Sequence, residues 1–171
     1  MADYYSPTVV QQIIPLSDMT PLELWLLSLI FDAAPMGDGL YFSASEGPRD
    51  IISIEPADLR EATEASAAFT GTATRIAIEA LSKHGNNASY IEIDASMEWW
   101  EHVFQDIIIR SRTVDHISVI TAFTCSKLRL DGFGGLATLI TRDCIRSKSL
   151  DDVLMDFLSE AEERGEIKPL G

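Results

Sequence analysis

The sequence has few of the residues that build disulfide-stabilised or metal-dependent proteins. Its 171 residues include only two cysteines, Cys125 and Cys144, and three histidines. Two cysteines do not make a secreted disulfide scaffold, and the scattered histidines offer no sequence-local zinc site. Motifs for a P-loop, a nucleophile elbow, a zinc protease, a C-x-x-C pair and an EF-hand are missing. These absences favour a protein that is not an enzyme and predict neither a cofactor nor a metal.

Long hydrophobic runs are missing as well. The longest apolar segment, 22–31, contains Glu23 and is shorter than the roughly 18 residues that a membrane-spanning helix needs. The first ten residues contain no lysine or arginine and lack the layout of a signal peptide. We therefore expect a cytoplasmic protein that does not enter a membrane.

Basic residues are scarce, and their distribution is uneven. Thirteen lysines and arginines oppose 27 acidic residues, which gives a net charge of −14. The segment 110–148 is the exception, with 7 basic and 3 acidic residues. Such a chain repels nucleic acids and anionic membranes over most of its surface. The charge predicts a basic protein partner and no direct contact with nucleic acid, although ordinary solvation of the surface explains an acidic composition equally well.

Capping residues and hydrophobic spacing predict five helices. Thr20 and Glu23 form a T-x-x-E capping box at the start of the first helix, and Ser149 and Asp152 form the corresponding S-x-x-D at the start of the last. The predicted helices begin at Thr20, Pro56, Thr72, Ser96 and Ser149.

Segments rich in apolar and β-branched residues predict the strands. They lie at 6–17, 40–45, 50–55, 89–94, 117–125 and 136–141. Two hairpins are expected, at 40–55 and 117–141. Pro7 and Pro15 bracket the first segment, which favours an edge strand or an extended arm within residues 1–17. A frayed tail is expected at 166–171.

Hairpins mixed with helices, without regular βαβ alternation, predict the fold class. We expect residues 1–171 to form a single α+β domain. Its sheet is predicted to be mostly antiparallel, built from the two hairpins plus extra strands, with helices packed mainly on one face.

The connection within the 117–141 hairpin is the first candidate binding site. Its candidate residues are Lys127, Arg129, Asp131, Gly132, Phe133 and Gly134. Glycine amides and cationic side chains together suit an anion. The run 129–134 reads R-x-x-G-x-G after a strand and resembles the pyrophosphate loop of the N-acetyltransferases that use coenzyme A, which implies a phosphate-bearing cofactor. A long hairpin turn that needs glycine for positive φ explains the same residues. An exposed Phe133 at the tip would anchor a protein partner.

Two further sets of residues are candidates for catalysis. Cys125 could act as a nucleophile if His102 or His116 lies close to it as a base and Lys127 helps to lower its pKa, with Arg129 in the same cleft. A buried structural cysteine is the alternative. Glu98, His102 and Asp106 are spaced i, i+4, i+8 on one predicted helix. They could bind a metal or transfer a proton, and a solvated helix face has the same appearance.

Acidic side chains on two predicted helices are candidates for binding a basic partner. On the second helix these are Asp58, Glu61 and Glu64, and on the last helix they lie within 151–163. Both sets fall on faces that we expect to be exposed.

Three stretches resemble small uncharacterised proteins that are encoded on plasmids and other mobile elements of bacteria such as rhizobia. They are DGLYFSASEGPRD at 38–50, FQDIIIRS at 104–111 and AFTCSKLRLDGFGG at 122–135. The resemblance implies no activity and no residue role. It implies a context of accessory proteins that help an element to persist or to evade host defence, where an acidic protein could inhibit a nucleic-acid-binding host enzyme by charge mimicry.

The sequence therefore leads to a main hypothesis and two alternatives. The first is a non-enzymatic, acidic binding or regulatory protein that acts by contact with another protein. The second is a small, acyltransferase-like enzyme that holds a phosphate-bearing cofactor in the loop 127–135. The third is a homo-oligomer in which the first helix buries surplus apolar surface.

Overall fold

The structure is a computed structural model, and it describes residues 3–84, 88–97, 99–129 and 131–168. The five predicted helices are present. They are α1 (Pro21–Ile30), α2 (Pro56–Ala65), α3 (Thr72–Lys83), α4 (Trp99–Arg110) and α5 (Leu150–Glu163). Both predicted capping boxes form, with Glu23 N donating to the Thr20 hydroxyl and Asp152 N donating to the Ser149 hydroxyl. Local side-chain chemistry thus determines where α1 and α5 begin.

The described residues form ten strands in two sheets. The strands are β1 (Tyr4–Tyr5), β2 (Thr8–Val10), β3 (Ile14–Pro15), β4 (Asp32–Met36), β5 (Gly39–Ala44), β6 (Ile51–Ile54), β7 (Ile91–Asp94), β8 (His116–Cys125), β9 (Gly134–Thr141) and β10 (Ile145–Ser149). Eight of them form a sheet in the order β10-β9-β8-β2-β5-β3, with β1 also on β8 and β4 also on β5, and β6 and β7 form a second sheet. The pairs of described strands are all antiparallel. The predicted single-domain α+β class is confirmed.

The amino-terminal segment contributes three short strands to the large sheet, of which β2 is central while β1 and β3 each pair with a single described strand. β2 pairs with β5 on one side and with β8 on the other. Pro7 is tolerated because it falls between β1 and β2, where its carbonyl accepts a hydrogen bond from Ala122 N at 2.9 Å and no N–H is required. Pro15 ends β3, which pairs only with β5 among the described strands.

The predicted hairpin at 40–55 is wrong, because its two strands, β5 and β6, do not pair with each other. β5 pairs with β4 on one side and with β2 and β3 on the other, whereas β6 pairs with β7 in the second sheet. The hairpin at this position is β4–β5, and β4 lies in a segment expected to be a loop. Alternating apolar residues identify a strand, but they do not identify its partner. The other predicted hairpin, β8–β9, is present.

The core lies between the large sheet and the helices α1 to α4. Its centre is a cluster of four aromatic rings with edge-on or tilted contacts, formed by Phe31, Phe42, Trp100 and Phe104. α1 contributes four fully buried side chains, Leu22, Leu26, Leu27 and Ile30. Three further apolar side chains of α1, Leu24, Trp25 and Leu29, are partly buried and pack against this core.

α5 lies on the opposite side of the sheet from this core. On β9, Thr138 and Ile140 are buried, so Gly135 and Ala137 face the other way. An ideal Cβ on Gly135 would lie 3.5 Å from Leu150 Cδ1, and Lys148, which pairs with Ala137, donates to Asp156 on α5. None of the helices in the described part of the chain has the length and apolar character needed to cross a bilayer. Of the expected tail at 166–171, residues 169–171 lie outside the described residues.

Candidate interaction surface

The loop between β8 and β9 depends on glycine for close packing. An ideal Cβ on Gly132 would lie 2.9 Å from Cys125 Cβ, a distance that a methyl group cannot occupy without movement of the strand end. The glycines with positive φ in the described chain are Gly37, Gly47 and Gly165. The expected requirement for positive φ at the loop glycines is therefore wrong. Gly132 is needed because the loop folds back directly onto β8.

The cationic side chains of this loop lie at the protein surface. Lys127 and Arg129 are both exposed, and Arg129 donates a hydrogen bond to the Tyr4 hydroxyl at 3.0 Å. In the N-acetyltransferases a helix follows the glycines and contributes its amino terminus. Here Gly134 begins β9, so the loop has no helix amino terminus to bind pyrophosphate. Leu130, within this loop, lies outside the described residues.

Apolar side chains are exposed around the loop. We call the set Tyr4, Phe123, Leu128 and Phe133 the tip. Leu128 is 96% exposed and Phe133 is 54% exposed, and Tyr4 and Phe123 are exposed as well. Asp131 and Lys127 supply exposed charges beside them. The exposure of Phe133 meets the condition under which it can anchor a protein partner.

The acidic residues predicted on α2 share its solvent-facing side. Asp58, Glu61 and Glu64 are exposed, while Leu59 between them is fully buried and holds the helix against the core. Their spacing of three residues places the carboxylates next to one another along the helix. This side of α2 is a negatively charged surface available to a basic partner.

The catalytic candidates do not form a reaction centre. Cys125 is buried at the end of β8, opposite Tyr4. His102 is exposed on α4, whose Gln105 donates to the Thr141 carbonyl at 2.9 Å. Thr141 pairs with the first residue of β8, about 30 Å along the strand from Cys125. Arg129 lies beside Gly132 near the cysteine, so Cys125 and Arg129 are close together and His102 is elsewhere.

The proposed acidic cluster on α4 has a structural explanation. Asp106 Oδ2 accepts a hydrogen bond from Thr72 N at 2.6 Å and thereby caps the amino terminus of α3. Glu98 lies outside the described residues. Among the residues that the structure does describe, no group of three or more His, Cys, Asp and Glu side chains is arranged to hold a metal.

A polar cluster at the ends of α1, α2 and α4 was missed by the sequence analysis. Arg110 donates to the buried Glu23 carboxylate at 2.5 Å and stacks on Phe69, with its Cζ 5.0 Å from the ring centroid. A groove of about 460 Å³ lies beside it and is lined by Asp18, Phe69 and the start of α1. The described buried side-chain polar atoms all have hydrogen-bond partners. The cluster therefore serves to join three helix ends, and it offers no unsatisfied group to a ligand.

The exposure of apolar side chains on α5 is the second feature that the sequence did not reveal. The helical spacing of its apolar residues predicts a buried face, yet none of the described residues of α5 is buried. These apolar residues are Leu150, Val153, Leu154, Phe157 and Leu158. Leu150, Leu154 and Phe157 are 59%, 54% and 62% exposed. At spacings of four and three residues they lie on one face of the helix, and we call them the α5 stripe. The periodicity indicates an amphipathic helix. Only the tertiary structure shows that the stripe stays more than half exposed, although Leu150 lies against Gly135 of β9.

The amino terminus of α5 is held in place by charge and capping. A hydrogen bond from the Ser149 side chain, reinforced by its backbone, lowers the pKa of Asp152. A hydrogen bond and the attraction of Asp156 raise the pKa of Lys148. These contacts connect the first two turns of α5 to β10, so the exposed stripe is carried on an anchored helix.

In comparisons with protein-family models, with curated proteins and with solved structures, no significant match to this chain was found. The function therefore has to be inferred from the surfaces described above. They comprise two exposed apolar features, the tip and the α5 stripe, on a protein of net charge −14.

Proposed function

We propose that this protein is a non-enzymatic binding protein that acts by direct contact with another protein. The observation that carries the proposal is α5, a capped and anchored helix whose three stripe side chains remain more than half exposed. Fully burying a Leu or Phe side chain contributes about 1.5–3 kcal/mol. On the same scale, covering the exposed halves of the three stripe residues would contribute about 2–5 kcal/mol to the free energy of binding.

The tip supports the same proposal. Leu128 and Phe133 protrude beside Lys127 and Arg129, and aromatic and arginine side chains are enriched among residues that dominate binding energy. Cys125, which the enzyme hypothesis offers together with His102 as a reactive group, is buried under the loop. Contact with a macromolecule accounts for these side chains better than catalysis does.

The class of partner follows from the charge. The exposed carboxylates of α2 and α5 attract a protein with a basic face. A nucleic-acid-binding enzyme has such a face, and occupying it with carboxylates would inhibit the enzyme by charge mimicry. This inhibitory role is part of the proposal.

Site-specific photocrosslinking tests the proposal. A photoreactive phenylalanine analogue would replace Phe133, Phe157 or, as a control at an exposed apolar position elsewhere, Ile78, which is 57% exposed. The full chain would be expressed in its native host. We expect one discrete adduct from position 133 or 157, none from 78, and loss of the adduct on adding roughly 0.5 M salt.

The controls separate specific contact from chance collisions. The same adduct from all three positions, or no adduct from positions 133 and 157, would contradict the proposal. Identifying the captured protein by mass spectrometry then tests the inhibitory role, because the adduct of a nucleic-acid-binding enzyme should bind less nucleic acid than the free enzyme.

A further inference from the structure

We propose that α5 is the element that binds the partner, and that it packs against an apolar surface of the partner that is bordered by lysine or arginine side chains. This inference rests on the proposed function and adds to it the mode of binding and the chemistry of the partner. Three features of α5 support it, namely the spacing of its stripe, the sign of its charges and its anchored amino terminus.

The stripe has the spacing of a helix that binds in a groove. Leu150, Leu154 and Phe157 occupy positions i, i+4 and i+7, which is the anchor pattern of amphipathic helices that lay an apolar face into a hydrophobic groove. Ala161 continues the spacing one turn further and is half-buried. Because Ala161 is small, the carboxyl-terminal part of this face leaves room for a partner side chain.

The charges that α5 itself carries are all of one sign. α5 carries six acidic residues and no basic residue, the acidic ones being Asp151, Asp152, Asp156, Glu160, Glu162 and Glu163. Asp156 lies four residues from both Asp152 and Glu160, and like charges at this spacing destabilise a free helix. Glu162 and Glu163 lie in the last turn, where the helix dipole disfavours anions. Lys148 pairs with Asp156 and Arg164 pairs with Glu160, which leaves an excess of carboxylates on the helix. A cationic border on the partner would offset this excess.

The same charges argue against other occupants of the stripe. A second copy that packed its α5 against this one would bring six carboxylates against six, on two chains that each carry −14. Nucleic acids and anionic membranes would be repelled in the same way. A protein surface that combines apolar side chains with lysine or arginine is the occupant that satisfies both the stripe and its surroundings.

The anchoring of α5 makes it suitable as a ligand in its present conformation. The capping box formed by Ser149 and Asp152 fixes its first turn, and Lys148 binds Asp156 in the second turn. A helix that is already formed loses little conformational entropy on binding. We therefore expect the stripe to bind without unfolding or moving away from the sheet.

A pair of synthetic helical peptides of about 20 residues, with leucines at 3-4 spacing, serves as the probe. One peptide carries lysines beside the leucines and the other carries glutamates in their place. Fluorescence anisotropy measures the binding of each labelled peptide to the full chain. We expect the lysine peptide to bind, and its affinity to fall about tenfold or more in the Leu154→Ser/Phe157→Ser variant. The glutamate peptide should not bind.

A matched double variant separates stripe binding from general attraction to an acidic protein. Ile51→Ser/Ile78→Ser changes two exposed apolar side chains on β6 and α3 and should leave the affinity within about twofold. Circular dichroism melting should show that both double variants are folded. Equal losses in the two variants, equal binding of the two peptides, or no binding of the lysine peptide would overturn the inference.

Two further results would overturn the inference and leave the proposed function in place. Sedimentation that shows a dimer abolished by Leu154→Ser/Phe157→Ser would assign the stripe to a second copy. A crosslinked partner that depends on Phe133 and not on the stripe would assign the contact to the tip. Failure of the proposed function itself has a different signature, since neither position 133 nor position 157 would then crosslink.

Discussion

Arg110, at the end of α4, donates a hydrogen bond at 2.5 Å to the carboxylate of Glu23, in the first turn of α1. The Glu23 side chain is only 4% exposed, and it also accepts the Thr20 N–H of the capping box at 2.8 Å. This one carboxylate therefore connects helices that are 87 residues apart in the sequence. The pair holds the end of α4 against the start of α1 and thereby positions the polypeptide that leads into β8.

Arg110→Ala should destabilise the protein strongly. It leaves the Glu23 carboxylate buried without its cation, and removing one partner of a buried ion pair costs about 3–5 kcal/mol. Urea denaturation followed by tryptophan fluorescence measures the change. The double variant Glu23→Gln/Arg110→Met should recover part of the loss, because no uncompensated charge remains. A loss below about 0.5 kcal/mol for Arg110→Ala would show that the pair is solvated and of little energetic weight.

Gln12→Ala should cost about 1–3 kcal/mol. Gln12 lies in the break between β2 and β3, where its side-chain Oε1 accepts the Ser118 N–H at 2.7 Å and so replaces a backbone partner. Without the side chain, this N–H in the central part of the sheet loses its acceptor. Gln11→Ala is the matched control, since Gln11 is exposed and contributes through its backbone N–H, which donates to the Ser118 carbonyl. Equal effects of the two substitutions on chemical denaturation would contradict the prediction.

The amino terminus of α5 should contribute stability that is lost in acid. Hydrogen bonds from Ser149 lower the pKa of Asp152 in the folded protein, so this contribution is present above the unfolded pKa, about 3.9. It disappears as the pH falls through the lower, folded value. NMR titration of Ser149→Ala should therefore show the pKa of Asp152 moving up toward its ordinary value. An unchanged pKa of Asp152 in this variant would contradict the assignment.

Coenzyme A should leave the thermal midpoint unchanged. The loop 126–133 leads into a strand, and Arg129 is held by the Tyr4 hydroxyl. A ligand at 100 times its Kd would add about 2.7 kcal/mol, which is a rise of several degrees in a domain of this size. Differential scanning fluorimetry measures the thermal midpoint with and without coenzyme A. A rise of that size that is lost in Arg129→Ala and kept in Arg142→Ala would favour the enzyme hypothesis instead.

The local parts of the fold were predictable because they depend on residues a few positions apart. Thr20 and Ser149 cap their helices through contacts with the third residue that follows, and the β8–β9 hairpin joins strands that are neighbours in sequence. The Asp106 cap on α3 was not predictable in this way, because donor and acceptor are 34 residues apart. Their contact exists only after the two helices pack together.

The helices, the capping boxes of α1 and α5, the α+β class and the surplus of negative charge could be predicted from the amino-acid sequence, because each follows from composition or from short-range spacing. The long-range strand pairings, the central position of residues 8–10 and the separation of Cys125 from His102 became visible only in the folded chain. The tertiary structure also decided that α5 lies outside the core with its stripe exposed. An amphipathic pattern predicts that a helix has an apolar face. Whether that face is covered depends on how the rest of the chain packs against it.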